Sequence, residues 1–283
     1  MSSQPYSLNV LTQQLTGLSG FEYITSGGQK SVYSAIHSHH GKVALKLLIP
    51  SSSAERFDRE IASVNIIANG RVPQIYESGT LVDPYHGHLW LIEQWIEGIS
   101  LKDKLANGPI SNNLVLQIAF DILTVLVAAE ANQIVHRDIK PDNILIAPDE
   151  SNCWLVDFGI ARLLGRTSLT VGVMPHTLGY ASLEQLNSLK SEIDTRSDLF
   201  SLGVTLYESI EGVNPYIDGA NTVDEVIRRM GSINFPEILR QVDNKGDLKN
   251  LITAMTRQKK IHRISTAAEA HEWISEIVAL GAI

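Results

Sequence analysis

Between residues 136 and 159 the chain carries His136-Arg137-Asp138-Ile139-Lys140-Pro141-Asp142-Asn143 and then, after two apolar strand-like segments, Asp157-Phe158-Gly159. Carboxylates, a carboxamide and a lysine thus stand in one short region. The combination suits metal-assisted phosphoryl transfer, which needs an acceptor hydroxyl positioned, its proton accepted, and the nucleotide phosphates held by Mg²⁺ and a cation. A single Asp or Asn in a loop is usually a cap or a turn former. Here the constellation as a whole, an eight-residue string with Asp-Phe-Gly beginning 14 residues after Asn143, argues for chemistry.

Such a loop has to be delivered by rigid elements. After Gly108-Pro109, Leu114, Ile118, Ile122, Leu126 and Ala129 form one apolar stripe of a helix that leads into it. The most apolar part, residues 118–131, is interrupted by Asp121 and too short to span a bilayer, so it reads as a buried helix. Beyond the loop, Ser197-Asp198-Leu199-Phe200 opens a second buried helix, closed by Gly212 and Pro215. Three capped helices follow, at Thr222 with Glu225, over residues 247–257, and at Thr266 with Glu269. Upstream, residues 21–24, 31–36 and 43–48 alternate as three strands of an antiparallel meander. Ser52-Ser53-Ala54-Glu55 is a capping box for a helix carrying Phe57, Ile61, Val64 and Ala68. Residues 1–20 form a polar, turn-rich extension with a short helix over residues 8–15.

Composition limits the alternatives. The 283 residues carry a net charge of −8, which disfavours nucleic-acid and anionic-membrane surfaces, since both need clustered Lys and Arg. The single cysteine, Cys153, lies in a strand-like Cys-Trp-Leu-Val run, precludes an intramolecular disulfide and suits a reducing compartment. The first 20 residues lack the basic start and apolar run of a signal peptide. The groups His37-Ser38-His39-His40 and His86-Gly87-His88 read as solvated hairpin turns, because no carboxylate or cysteine completes a metal-ligand spacing.

The string from His136 to Asn143, Asp157-Phe158-Gly159 and Val43-Ala44-Leu45-Lys46 together resemble the catalytic loop, metal-binding loop and third strand of the eukaryotic-like protein serine/threonine kinase family. The resemblance implies an α+β, bilobal protein-kinase-like fold, with a small antiparallel β-sheet N-lobe carrying one main helix and a larger, mostly α-helical C-lobe. The kinase domain would span residues 21–283, with the N-lobe at 21–95 and the C-lobe at 96–283, preceded by the extension at 1–20.

By the same resemblance, Asp138 would accept the proton of the substrate hydroxyl, Lys140 would neutralise the γ-phosphate, and Asn143 with Asp157 would hold the metal. Lys46 would hold the α- and β-phosphates, with Glu60 as its ion-pair partner and Glu55 as the other choice. Gly27 and Gly28 fall where the family covers the phosphates with a glycine-rich loop; Thr25 and Lys30 replace two of its glycines, and an ordinary hairpin turn fits equally. Val32, Ala44 and Leu145 would contact the nucleotide, Leu145 as the floor under adenine, while main-chain groups of Gln94 and Ile96 read the adenine edge. Glu93 takes the gatekeeper position, usually apolar or Thr. A charge there is costly unless paired, so either the register slips by one or the pocket is unusual.

Residues 157–184 resemble an activation segment, from which His176, Ser182 and Leu183 depart. Thr177 would bond Asp138 and Lys140, Glu184 would pair with Arg263, and Asp198 would reach the catalytic-loop backbone. Arg137 would receive a phosphate placed on Thr167, Ser168 or Thr170 and so order the segment.

The implied function is that of an ATP- and Mg²⁺-dependent protein serine/threonine kinase, with Mn²⁺ as the other metal, transferring the γ-phosphate to protein substrates and to itself. The alternative is a pseudokinase, a nucleotide-binding signalling module with little transfer. A small-molecule kinase of the aminoglycoside or choline type is a third class, though such proteins generally lack the lysine two residues after the catalytic aspartate and the docking segment around Tyr180 to Glu184. ATP and protein substrates are the expected partners, without nucleic acid or membrane. A cytoplasmic, stand-alone kinase of compact bacterial or phage type is the expected setting.

Overall fold

The computed structural model describes residues 6–27, 30–49, 61–62, 64–67, 70–85, 87–158, 178–187, 189–232, 235–243 and 245–280. They divide into two compact units, one drawn from the chain up to residue 96 and the other from residue 97 onward together with residues 70–72.

In the first unit, β1 (Leu18–Gly27), β2 (Lys30–His37), β3 (Gly41–Leu48), β4 (Ile75–Thr80) and β5 (Leu89–Gln94) form one antiparallel sheet in the order β1-β2-β3-β5-β4. Alternation of side chains along a strand sends Tyr33, Ala35, Val43, Leu45, Leu47 and Ile92 to one face, where they are buried. The helix α1 (Leu8–Gln14) belongs to the same cluster through Leu11, flanked by Tyr6, Leu15 and Leu18. Its last residue, Gln14, bonds in both directions: the carboxamide accepts from the Val82 N–H (2.8 Å) and donates to the Val82 and Asp83 carbonyls (3.2 and 3.0 Å). The segment read as an extension therefore supplies core to the sheet.

Three local expectations change. Strand β1 starts at Leu18 and runs through Gly27, so Thr25 to Gly27 are paired strand where a turn was expected, with Gly27 opposite Lys30. His37 is buried, at 3% exposure, rather than solvated. Its Nδ1 accepts the N–H groups of His39 and His40 (3.0 and 3.2 Å), so the proton sits on Nε2, which meets Glu77 Oε1 at 3.0 Å. His88 likewise has a partner, Tyr6 Oη at 2.8 Å. The helix expected from Ser52 is described only at its end, where residues 61, 62, 64 and 65 are helical and Val64 is buried.

The second unit is built on α3 (Asn112–Ala131), which packs against α5 (Thr195–Glu211), α8 (Ala267–Ala279) and β8 (Cys153–Leu155). The other elements are α2 (Leu101–Leu105), α4 (Leu183–Leu186), α6 (Val223–Ser232), α7 (Asp247–Met255), and the strands β6 (Ile99–Ser100) and β7 (Ile144–Ile146), which join β8 in a sheet of order β6-β7-β8. The caps fall as expected: Thr222 Oγ1 accepts from the Glu225 N–H at 3.2 Å, and Thr266 Oγ1 accepts from the Glu269 N–H at 3.1 Å. Gly212 ends α5 in the left-handed conformation (φ 81°), which costs a glycine little.

The expected stripe on α3 understates its burial. Val115, Leu116, Ala119, Leu123 and Val125 are buried beside the five stripe residues, so most of its circumference is covered. At 20 residues α3 is also long enough, by length and composition, to cross a membrane, so the length argument fails; its packing inside the unit accounts for its apolarity. Asp121 does not disrupt it. Its carboxylate receives Arg71 Nε (3.0 Å), Gln117 Nε2 (2.8 Å) and the Cys153 N–H (2.8 Å), which ties the start of β8 to the helix. Cys153 is buried, and burial pushes its thiol up to about 12, so it packs rather than reacts.

If α1 is core, Leu11→Ala should lower the unfolding free energy by about 2–5 kcal/mol, the usual cost of emptying a fully buried leucine site. Urea denaturation would check this. A loss below about 0.5 kcal/mol would mean that the segment merely decorates the sheet.

Candidate active site

The loop from His136 to Asn143 is held by its backbone. Asp198, in the first turn of α5 and 1% exposed, accepts the His136 N–H on Oδ2 (2.7 Å) and the Arg137 N–H on Oδ1 (2.8 Å). Burial pushes its carboxyl up to about 7, while the two N–H bonds pull it down. Arg137 sits in the left-handed region at φ 72° and Asp157 at φ 65°, conformations that cost a non-glycine residue roughly 1–3 kcal/mol and persist only where the surroundings over-determine them. His136 supplies part of that surrounding. Its Nδ1 accepts the Asp138 N–H (3.2 Å), so Nε2 carries the proton and donates to the Val156 carbonyl (3.0 Å). Burial lowers its pKa and favours this neutral form. Phe158 packs edge-on against the same ring, with centroids 4.6 Å apart.

These contacts leave the Asp138 carboxylate presented to two side chains. Lys140 Nζ lies 2.8 Å from each of its oxygens, and Asn143 Nδ2 donates to Oδ2 (3.0 Å) and to the Asp138 carbonyl (2.7 Å). Asn143 stands in a single 3-10 turn, Pro141–Asn143, and its own carbonyl accepts the Val156 N–H at 2.9 Å, fastening the loop to the segment that carries Asp157. With Nδ2 spent on Asp138, the free end of the Asn143 carboxamide is its oxygen. One amide oxygen and one carboxylate, Asp157, fit Mg²⁺, which takes few protein ligands and completes its shell with water and phosphate. Among the described residues no group of three or more His, Cys, Asp or Glu is assembled as a metal cage. Leu145 lies on β7 with its side chain opposite in sense to the buried Ile144 and Ile146. Gly98, just before β6, has no room for a side chain, since a Cβ there would collide with the Ile146 carbonyl.

Helix α4 is tied to the same helix turn. Arg263 forms a two-pronged pair with Glu184, Nη1 to Oε1 at 2.6 Å and Nη2 to Oε2 at 3.2 Å, with side-chain exposures of 0% and 5%. The Ser197 hydroxyl donates to Glu184 Oε1 (2.7 Å), and Arg263 also donates to the Arg196, Arg257 and Gln258 carbonyls. Burial would raise Glu184, but Arg263 and Ser197 outweigh it and hold the carboxyl below its ordinary value of 4.5. The expected pair is thus present. At Ser182 and Leu183, which depart from the family pattern, a capping box opens α4: Gln185 Oε1 accepts the Ser182 N–H at 3.0 Å. Gln185 was overlooked in the sequence, although Ser182-Leu183-Glu184-Gln185 has the Ser-x-x-Gln form of that motif.

In the first unit the register brings four residues to one face. Val32 pairs with Lys46, and Ala44 pairs with Glu93, so Val32, Ala44, Lys46 and Glu93 share the sheet face opposite the α1 cluster. Lys46 and Glu93 form a buried ion pair, Nζ to Oε1 at 2.5 Å, with side-chain exposures of 5% and 9%. This is the pairing that makes a charge tolerable at that position. The Gln94 N–H donates to the Gln74 carbonyl (2.8 Å), and Ile96 ends the unit. Glu60, Glu55, Gly28, Gly159, Thr167, Ser168, Thr170, His176 and Thr177 lie outside the described residues.

Replacing Arg263 by Met should leave a buried carboxylate unpaired and cost about 3–5 kcal/mol of stability at neutral pH. Because Glu184 has a lowered pKa, the wild-type pair contributes fully above 4.5 and is lost as pH falls through the lower folded value. The stability gap between wild type and variant, followed by denaturant titration from pH 7 downward, should therefore shrink on acidification. A gap independent of pH would contradict this assignment.

A family model described as the protein kinase domain matches residues 20–274. The chain is 28% identical over 256 residues to the serine/threonine-protein kinase PknB of Mycolicibacterium smegmatis, covering 88% of this chain and 41% of that protein. It is 31% identical over 255 residues to the serine/threonine-protein kinase PrkC of Bacillus subtilis, covering 87% and 38%. It is 30% identical over 218 residues to the probable serine/threonine-protein kinase pknA2 of Bifidobacterium longum, covering 73% and 28%. The chain spans between 28% and 41% of the length of these relatives. A match running through both units, over a loop whose backbone is fastened by Asp198 and His136, places this chain in the protein kinase domain family.

Proposed function

We propose that the chain is an ATP-dependent protein serine/threonine kinase. One observation carries this reading: the Asp138 carboxylate, on a loop fixed by Asp198, is oriented by Lys140 and Asn143, an arrangement suited to accepting a hydroxyl proton. Members of the family use ATP with a divalent metal. Asn143 and Asp157 would hold Mg²⁺, or Mn²⁺ in its place, and the metal supplies charge neutralisation and orientation of the phosphates.

The other roles follow the same reading. Lys46, held by Glu93 within the sheet, holds the α- and β-phosphates, and Lys140 offsets charge on the γ-phosphate. Glu60 is kept as a further partner of Lys46. Gly27, Gly28, Val32, Ala44, Gln94, Ile96 and Leu145 contact the nucleotide, and the domain is taken as residues 21–283, with its N-lobe at 21–95 and C-lobe at 96–283, to which α1 and the start of β1 add core and sheet ahead of residue 21. A protein acceptor is supported by the ordered docking end at Tyr180 and Glu184, where Tyr180 Oη donates to Glu208 (2.5 Å) and Glu184 is locked by Arg263. A phosphate carried on Thr167, Ser168 or Thr170 pairs with Arg137, and Thr177 bonds Asp138 and Lys140. With one cysteine and so no intramolecular disulfide, a cytoplasmic setting is the reading kept.

Asp138→Asn keeps the shape of the side chain but not its basicity. Transfer of radiolabel from ATP to protein should fall by about 10²–10⁴-fold, the range of a lost general base, while nucleotide binding measured by calorimetry is retained. Wild-type protein that binds ATP but labels no protein under varied metals would favour the pseudokinase, and label on free small molecules instead would favour the third class. Mass spectrometry after incubation with Mg-ATP should find phosphate on Thr167, Ser168 or Thr170; unchanged activity with all three as alanine would remove the regulatory role of Arg137.

A further inference from the structure

Gln185 stands next to Glu184 yet faces a different partner. Its carboxamide is used at both ends: Oε1 accepts from the Ser182 N–H and hydroxyl, each at 3.0 Å, and Nε2 donates to the Arg137 carbonyl at 2.9 Å. The partners fix which end is oxygen, because the Ser182 N–H can only donate and the Arg137 carbonyl can only accept. The residue is 7% exposed, so water does not substitute readily for either bond.

The Arg137 carbonyl belongs to the peptide that leads directly into Asp138. The N–H at the other end of that peptide donates to His136 Nδ1 (3.2 Å), and the Arg137 N–H of the preceding peptide donates to Asp198 (2.8 Å). Two consecutive peptide planes are thus held on either side of a residue in the left-handed region. A closed ring results. Ser197 and Asp198, adjacent on α5, hold Glu184 and Arg137, and Gln185 bridges the remaining gap between α4 and the loop.

We propose that Gln185 is a positioning residue for Asp138, acting through the Arg137 carbonyl, so that the orientation of the proton acceptor depends on α4 being seated. The inference rests on the kinase reading for its activity readout. It makes seating of the docking segment's end and orientation of the carboxylate one event, because the same carboxamide caps the helix and holds the peptide. A hydrocarbon of equal size would fill the space without coupling the two.

The test is Gln185→Glu, which keeps shape and can still accept from Ser182. As a carboxylate it has no proton for the Arg137 carbonyl; as a carboxylic acid it does. At pH 8, kcat should fall by about tenfold, the factor equivalent to one lost hydrogen bond of about 1.4 kcal/mol, with the KM for ATP within about twofold of wild type. As pH is lowered, the ratio of variant to wild-type kcat should climb, whereas Gln185→Leu should be impaired at every pH. Amide exchange at Arg137 and Asp138, read by NMR in the same proteins, should quicken in both variants at pH 8. A folded Gln185→Glu protein with wild-type kcat, pH profile and exchange overturns the proposal, as does equal impairment of the Glu and Leu variants at every pH. Inactive wild-type protein overturns the kinase reading instead, and the exchange at Arg137 and Asp138 then decides the role of Gln185 by itself.

Discussion

The candidate site in the second unit depends on one carboxylate meeting two peptide N–H groups. Asp198 lies in the first turn of α5, where unpaired backbone N–H groups favour negative charge, and it spends both oxygens on the peptides of His136 and Arg137. Hydrogen bonds to a charged group contribute about 1.5–3 kcal/mol each, enough to hold Arg137 in a conformation its side chain disfavours. The burial that makes those bonds strong also penalises the charge, which is why the carboxyl rises to about 7. Stiffness in the loop and an unusual protonation equilibrium at its anchor have the same origin.

The neighbours of Asp198 extend that anchor. Arg196 offers its carbonyl to Arg263, Ser197 its hydroxyl to Glu184, and Asp198 its carboxylate to the loop, so three consecutive residues of one helix turn hold three segments distant in sequence. Helices α3 and α8 pack on the same helix, and α7 joins them, which gives the turn a rigid support. Buried ion pairs add little net stability when compared with apolar packing, but they punish misplacement severely. The Glu184 to Arg263 pair is best understood in that sense, as fixing where α4 sits.

The first unit applies the same logic to a lysine. A buried ammonium needs a partner, and the register between β3 and β5 supplies Glu93 from within the sheet. The opposite face is closed by α1 and its flanking Tyr6, Leu15 and Leu18, so the sheet has an apolar side and a side that carries charge in an ion pair.

Much of the candidate chemistry was legible in the residues alone, because Asp138, Lys140 and Asn143 lie within six consecutive positions and such short-range spacing survives any arrangement of the rest. The caps at Thr222 and Thr266 were legible for the same reason. The burial of α1 was not, since Leu8, Leu11 and Leu15 make too short a stripe to announce a partner, and that partner is one face of a five-stranded sheet that follows it in the chain. His37 looked like a turn residue until the fold buried it against Glu77, forty positions on. Glu93 looked like a misplaced charge because its counter-ion is set by strand register, which no local pattern encodes. For residues 136–159, then, the sequence by itself determined which groups are present. The reach of Asp198 to the loop backbone came with the family resemblance; the tertiary structure decided what else holds them, since Gln185 and His136 act on carbonyl and N–H groups that every residue possesses, and their choice of partner appears when the chain is folded.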